Sequence, residues 1–245
     1  MALSSRRGLH GQVVEDLGRR IGHGDLQPGD FVEIPELEGR YGASRTAVRE
    51  ALKVLTAKGL VEARPRYGTY IRPRADWNVL DPDVLLWQDG SAANLTLLRN
   101  LDEVRRIIEP QAARLAAERR VSADLMDLRK ALRQLADAER PAALAAADVR
   151  FHRAVLAATH NQLLDRLGLV LQPALKLRDL VALRSERCDR RSIDLHRAVL
   201  LAIERRSPRG AERSMRKLLE QAAKDAERAA GSRTSARKQM ARRVL

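Results

Sequence analysis

Ser44-Arg45-Thr46-Ala47-Val48-Arg49-Glu50-Ala51-Leu52-Lys53-Val54-Leu55 is the stretch on which the fold turns. Ser44 offers a side-chain oxygen to the unpaired N–H groups of a helix start. Val48, Ala51, Leu52 and Leu55 fall at i, i+3, i+4 and i+7, the spacing of one buried stripe. Gly59, just after Lys58, is a natural stop. The opposite face carries Arg45, Arg49 and Lys53 at four-residue steps, so this helix hides one side and offers a basic row on the other. Many solvated helix faces carry such a row, and its meaning depends on what flanks it.

Upstream, Leu9, Val13, Leu17 and Ile21 mark an amphipathic first helix. Gln27-Pro28-Gly29-Asp30 breaks the chain, and a short second helix is expected over Glu36 to Tyr41. Downstream, Leu60-Val61-Glu62-Ala63-Arg64, a turn from Pro65 to Gly68, and Thr69-Tyr70-Ile71-Arg72 read as a β-hairpin with Arg64, Arg66 and Gly68 near its tip. Short helix, basic helix and basic-tipped hairpin in that order predict a winged helix-turn-helix over residues 1–72. In a major groove an arginine near the helix start can bond guanine twice, discriminating bases by about 1–3 kcal/mol. Arg45, Arg49 and Lys53 are candidates for that contact, and Thr46 for a phosphate. Arg64 and Arg66 suit a minor groove, which Gly68 would let the backbone approach.

Composition agrees. Lys and Arg number 46 against 32 Asp and Glu, a formal charge of +14 that calls for a polyanionic partner. Aromatic residues are only 3%, too few for a surface that stacks single-stranded bases. The single cysteine, Cys188, is expected to be an inert thiol in a reducing cytoplasm. The N-terminus lacks the apolar core of a secretory signal, and no apolar run is long enough for a membrane span. Residues 73–90 form a linker whose Trp77, Asp81-Pro82 and Trp87 predict docking against a domain. Residues 91–231 read as an all-helical domain rich in Ala, Leu and Arg, and 232–245 as a basic tail expected to fray. The fold class is mainly α: an N-terminal winged helix-turn-helix with a small β-hairpin wing, then an all-α antiparallel helical bundle.

In that bundle the informative residues are polar ones at core positions. Arg105 lies within the stripe Leu101, Val104, Ile108 and Ala112. Asp148 and His152 share a face with Leu144, Phe151 and Val155, and His196 is set among Ile193, Leu200 and Ile203. Asp148 and His152, four apart, can point at one spot, and His196 can join them around a divalent metal such as zinc. Arg105 suits a carboxylate, so a small hydroxy acid or sugar acid is the matching effector. Spacing alone equally allows an intrahelical Asp148–His152 pair with His196 a satisfied core histidine. His160 beside Asn161 reads as a capping or surface residue.

Two resemblances add to this. The stretch Ser44–Leu52, with Leu55, Gly59-Leu60-Val61 and Gly68-Thr69, resembles the winged-helix domain of the GntR family of transcription regulators. That implies base reading by Arg45 and Arg49, with Gly68 at a wing tip in the minor groove. Family members often open the second helix with Pro-Ser-Glu-Arg-Glu-Leu; here Glu33-Ile34-Pro35-Glu36-Leu37 is one residue short and lacks the arginine, so that contact is not carried over. Glu103-Val104-Arg105-Arg106-Ile107-Ile108-Glu109-Pro110, Asp148-Val149-Arg150-Phe151-His152 with Asn161, and His196-Arg197-Ala198 resemble the FCD effector domain of the FadR subgroup. This resemblance implies that Asp148, His152 and His196 are metal ligands, with Leu218 where a fourth, histidine ligand would stand. Trp77 to Trp87 is similar to the same segment of galactonate-utilisation repressors within that group, implying a sugar-acid effector such as galactonate. The expected protein is a cytoplasmic homodimeric repressor that binds double-stranded operator DNA and is released by a small acidic metabolite. The competing readings are a metal-dependent hydrolase built on Asp148, His152 and His196, and an architectural DNA binder indifferent to sequence.

Overall fold

The computed structural model describes residues 8–88, 92–169, 172 and 190–242. Cys188, the first seven residues and the end of the linker stretch lie outside the described residues. The chain divides into two compact units, Met1–Thr96 and Leu97–Leu245. Among the described residues no helix is long and apolar enough to cross a membrane.

Unit 1 runs α1 (Leu9–His23), β1 (Phe31–Val32), α2 (Ile34–Tyr41), α3 (Arg45–Ala57), β2 (Val61–Arg64), β3 (Gly68–Ile71), a 3-10 turn (Arg74–Asp76) and α4 (Pro82–Trp87). Its core joins Val13, Leu17 and Ile21 of α1 to Val48, Ala51, Leu52 and Leu55 of α3 and to Val61 and Ile71 of the sheet. The α1 stripe starts one turn later than its periodicity predicts: Leu9, the first helical residue, is exposed, while Val14 is buried. Ser44 caps α3 by accepting the Ala47 N–H at 3.3 Å. The second helix begins two residues before the expected Glu36, since Pro35 in a first turn costs no hydrogen bond. The wing is more than a hairpin, because the short strand β1 pairs with β3 to give a three-stranded antiparallel sheet, β1-β3-β2.

At the hairpin turn the Tyr67 N–H donates to Arg64 O at 3.1 Å and Arg66 takes a left-handed φ of 67°. Gly68 follows at φ 95°, and a Cβ there would lie 2.1 Å from the Phe31 ring. The glycine is thus required inside the sheet, by its φ and by the Phe31 ring of β1.

The stretch 73–88 is built into unit 1. Trp87 is buried where α4 crosses α1 at Gly18 and Gly22; a Cβ on Gly22 would fall 2.1 Å from the Trp87 carbonyl oxygen. Lys58, at the C-terminal end of α3, places Nζ 2.7 Å from Asp81 and 3.0 Å from Asp83, and over the Trp87 ring. Asp81 in turn caps α4 by accepting the Asp83 and Val84 N–H groups. Trp77, also buried, donates its indole N–H to Arg72 O at 3.1 Å.

Unit 2 is helical among its described residues: α5 (Ala92–Arg119, entering from unit 1), α6 (Ser122–Ala136), α7 (Pro141–Ala157), α8 (162–169), α9 (Arg190–Glu204) and α10 (Pro208–Arg242). Short loops join α5 to α6, α6 to α7 and α9 to α10, the connection typical of antiparallel neighbours. Ala113, Ala116 and Ala117 of α5 meet Leu128 of α6, Phe151 and Val155 of α7, Val199 and Ile203 of α9, and Met215 and Leu218 of α10 in one apolar cluster. The helix α10 runs on through most of the basic tail stretch, to Arg242, as its Ala, Arg, Lys and Gln favour.

The α1–α4 crossing yields a test. Gly22→Ala should destabilise unit 1 by about 1–3 kcal/mol through overpacking. Gly39→Ala on α2, where a Cβ meets nothing within 4 Å, should stabilise by about 0.5–1 kcal/mol. Urea denaturation of both variants against the parent measures the contrast.

Candidate DNA-reading surface and effector site

The capped start of α3 presents Arg45, Thr46, Arg49 and Lys53, all exposed. Lys53 is tied to Glu50 at 2.7 Å, while neither Arg45 nor Arg49 forms an ion pair among the described residues. The wing tip presents Arg66 and, unremarked in the sequence, Tyr67, which is 73% exposed. Arg64 is engaged by Glu62 and lies over the Tyr70 ring. Unit 1 therefore carries free guanidinium groups on a buried, capped helix, the requirement for reading a groove without reorganising.

In unit 2 the structure brings Arg105 (α5), Asp148 and His152 (α7) and His196 (α9) together. Arg105, His152 and His196 are each no more than 2% exposed, and the Asp148 side chain retains 16%. Asp148 Oδ1 lies 3.0 Å from His196 Nε2, and Asp148 Oδ2 lies 3.6 Å from His152 Nε2. One ligand atom from each of the three residues lies within 4.8 Å of the others. Phe151 packs edge-on against His196, its ring centre 4.9 Å away, and gives the cluster an apolar wall.

The protons on the two rings can be located. His196 Nδ1 is 2.8 Å from the Ser192 carbonyl, which only accepts, so Nδ1 carries hydrogen and Nε2 is the nitrogen turned toward the cluster. That Nε2 makes no hydrogen bond, although a carboxylate oxygen stands 3.0 Å away. His152 Nδ1 is 2.6 Å from Glu109 Oε2. The oxygen lies off the ideal hydrogen-bond direction. The distance decides: a bare lone pair would not tolerate a carboxylate so near, so a proton lies between them. Burial lowers the His152 pKa, keeping the ring neutral against the pull of Glu109. Burial also opposes ionisation of Asp148, but His152 and His196 outweigh it and hold its pKa well below the usual range.

The Nε2 atoms of two buried histidines therefore converge on one carboxylate. Two imidazoles with a carboxylate are an ordinary donor set for a divalent metal. The residues present fit such an ion. Leu218 is buried with Met215 and Leu219 in the apolar cluster and supplies no ligand.

Glu109 was not singled out from the sequence. Its Oε1 takes Arg105 Nε at 2.6 Å while Oε2 faces His152. Burial works to raise its pKa, and Arg105 with His152 overrides this, holding it at about 2. The signal was present: a buried arginine needs an acid, and Glu109 stands one turn away. Arg105 is thus partly engaged, with Nη1 left buried and without a hydrogen bond among the described residues. Beside Arg105, Glu109 and His152 lies a cavity of about 20 Å³ walled by Val104, Leu156 and Gly168, room for one water. His160 sits at a left-handed φ of 51°, its Nε2 2.9 Å from Asp124, a local role away from the cluster.

Comparison with known proteins agrees with both units. Residues 9–71 match the model for bacterial regulatory proteins of the gntR family, and residues 101–221 match the FCD domain. The chain is 37% identical over 162 residues to the galactonate operon transcriptional repressor of Escherichia coli (strain K12), covering 65% of this chain and 71% of that one. It is 38% identical over 152 residues to the regulator LutR of Bacillus subtilis (strain 168), covering 60% of this chain and 66% of that one. The structure of Lar, which controls the agr system of Listeria monocytogenes, shares the fold at TM-score 0.63 and 18% identity, over 91% of this chain and 98% of that chain. Its paired domains and these relatives, regulators rather than enzymes, establish that the chain belongs to the GntR family, in the FadR-like group that carries an FCD domain, and is a DNA-binding transcriptional regulator.

Proposed function

We propose that this chain is a cytoplasmic repressor that works as a homodimer, each protomer reading one half of a two-fold operator and releasing it when unit 2 binds a sugar acid such as galactonate. One observation carries the sensing half: the Nε2 atoms of two buried histidines and the Asp148 carboxylate converge within 4.8 Å of one another. Asp148, His152 and His196 hold a divalent ion, which when bound supplies a Lewis-acidic centre for a hydroxy acid. Arg105, with Nη1 uncommitted, meets the acid's carboxylate. On the DNA side, Arg45 and Arg49 read bases, Thr46 and Lys53 fix register on phosphates, and Arg66 with the Gly68 turn approaches the minor groove.

A sugar acid is far larger than a water-sized cavity. Effector binding therefore has to displace the walls that α7 and α8 provide, and the two states differ in affinity for it. Each tenfold of that preference shifts the equilibrium by about 1.4 kcal/mol. The similarity to the galactonate operon repressor supports the choice of acid.

Anisotropy titrations on DNA upstream of the chain's own gene and its neighbours, at near-physiological salt and with a panel of sugar acids, test the reading. The expected result is selective binding that one acid releases. Tighter binding on adding acid reverses the direction, and binding without selectivity favours the architectural alternative. Arg49→Ala should weaken the operator complex by about 1–3 kcal/mol, roughly 5- to 150-fold, and leave unrelated DNA little affected.

For the ion, zinc added to metal-free protein should raise the melting temperature, with EDTA reversing the rise and His196→Ala abolishing it. An unchanged melting curve for the parent chain would remove the metal from the reading.

A further inference from the structure

Glu109 touches both halves of the effector site without being a ligand in either. Its Oε1 accepts from Arg105 Nε at 2.6 Å, and its Oε2 lies 2.6 Å from His152 Nδ1 while also accepting from Arg105 Nη2 at 3.5 Å. All three side chains are at most 5% exposed, so bulk solvent does not screen these contacts. A proton between Glu109 and Nδ1 leaves His152 Nε2 bare, and Nε2 is the atom that faces Asp148. The Nδ1 of the other histidine is fixed differently: His196 Nδ1 donates to the Ser192 carbonyl of its own helix, which α9 holds without help. His152 has only Glu109, and Glu109 is itself fixed by Arg105.

We propose that Glu109 is a positioning residue for the divalent ion: clamped by Arg105, it holds His152 in the Nδ1–H tautomer and turns Nε2 toward Asp148 and His196. The proposal rests on the reading of Asp148, His152 and His196 as a metal site. It also makes Arg105 a shared part. Nε holds Glu109 while Nη1 is buried without a hydrogen bond among the described residues. An anion that recruits Nη1 then acts on the same guanidinium that orients the ligand histidine. Ion and acid are thereby linked through one side chain, and such linkage is reciprocal.

The test uses the full chain. Long-range 1H–15N spectra of metal-free protein with 15N-labelled histidine report the tautomer of each ring, with His152 assigned by its loss in His152→Asn. The parent should show His152 protonated at Nδ1, and Glu109→Gln should move population to the Nε2–H form, since an amide can also donate. Calorimetric titration with zinc should find Glu109→Gln weaker by about 10- to 100-fold, the range expected when a partner of a ligand histidine is lost. Arg105→Gln/Glu109→Gln, which leaves no unbalanced buried charge, should show the same loss, separating ligand orientation from charge imbalance. A merely structural Glu109 would lower the melting temperature of these variants while leaving tautomer and zinc affinity of the folded protein unchanged, and that result overturns the proposal. An Nε2–H tautomer in the parent overturns it without any variant. If the parent binds no zinc, the metal reading itself fails and takes this proposal with it; if parent and variants bind zinc equally, only the role of Glu109 fails.

Discussion

The buried chain of Arg105, Glu109 and His152 is the constraint from which the rest of unit 2 follows. An isolated ion in such a place costs several kcal/mol, so each of these groups is tolerable only while its neighbour stays within hydrogen-bonding distance. That fixes the face of α5 that turns inward, because Arg105 and Glu109 must both lie on it, one turn apart. It fixes α7, which must bring His152 to the same point. It also explains the small residues that follow on α5: Ala113, Ala116 and Ala117 let this helix approach its neighbours closely enough for the contacts to form. Well-packed apolar side chains would serve stability as well or better than a buried ion chain. What the charges confer is position, and position is what a ligand site needs.

Unit 1 uses the same device once. Lys58, largely buried at the end of α3, is held by Asp81 and Asp83, and Asp81 also caps α4. Removing either partner would strand charge, so the end of the recognition helix and the start of α4 are fixed together. The crossing of α4 over Gly18 and Gly22 adds a steric lock to the electrostatic one. Arg45 and Arg49 thus project from a helix secured at its start by Ser44 and at its end by Lys58, so in the proposed base-reading role little ordering cost would be left for DNA binding.

The elements legible in the sequence were those whose signal is local. The stripe of α3 with its Ser44 cap, the basic row opposite, and the hairpin turn all follow from spacing within a dozen residues. Polar residues inside apolar stripes pointed correctly to Arg105, His152 and His196 as buried groups. What escaped depends on partners distant in sequence. The two-residue strand β1 has no periodicity to detect and exists only because β3 pairs with it. Gly18 and Gly22 looked incidental until Trp87 occupied the space above them. Gly68 was read for its backbone freedom, whereas its missing side chain also makes room for Phe31. Glu109 looked like any solvated helix acid, since an i, i+4 pair with arginine occurs on exposed faces too. Only burial of both partners separates Arg105–Glu109 from the exposed Arg114–Glu118 pair on the same helix.

The absence of a fourth protein ligand among the described residues bears on the proposed regulation. With Leu218 in the apolar cluster, a bound ion would have Asp148, His152 and His196 and would keep positions open. An ion held by fewer protein groups binds more weakly alone and depends more on what fills those positions. A hydroxy acid that coordinates through them and reaches Arg105 would then tighten the ion, and the ion would tighten the acid, by the same factor. Neither half of such a site need bind strongly for the pair to do so. A fully coordinated, closed site would bind its metal permanently and report nothing. Open positions on the proposed ion thus fit a sensor better than a structural centre, and an acid entering beside the water-sized cavity would have to move the helices that enclose it.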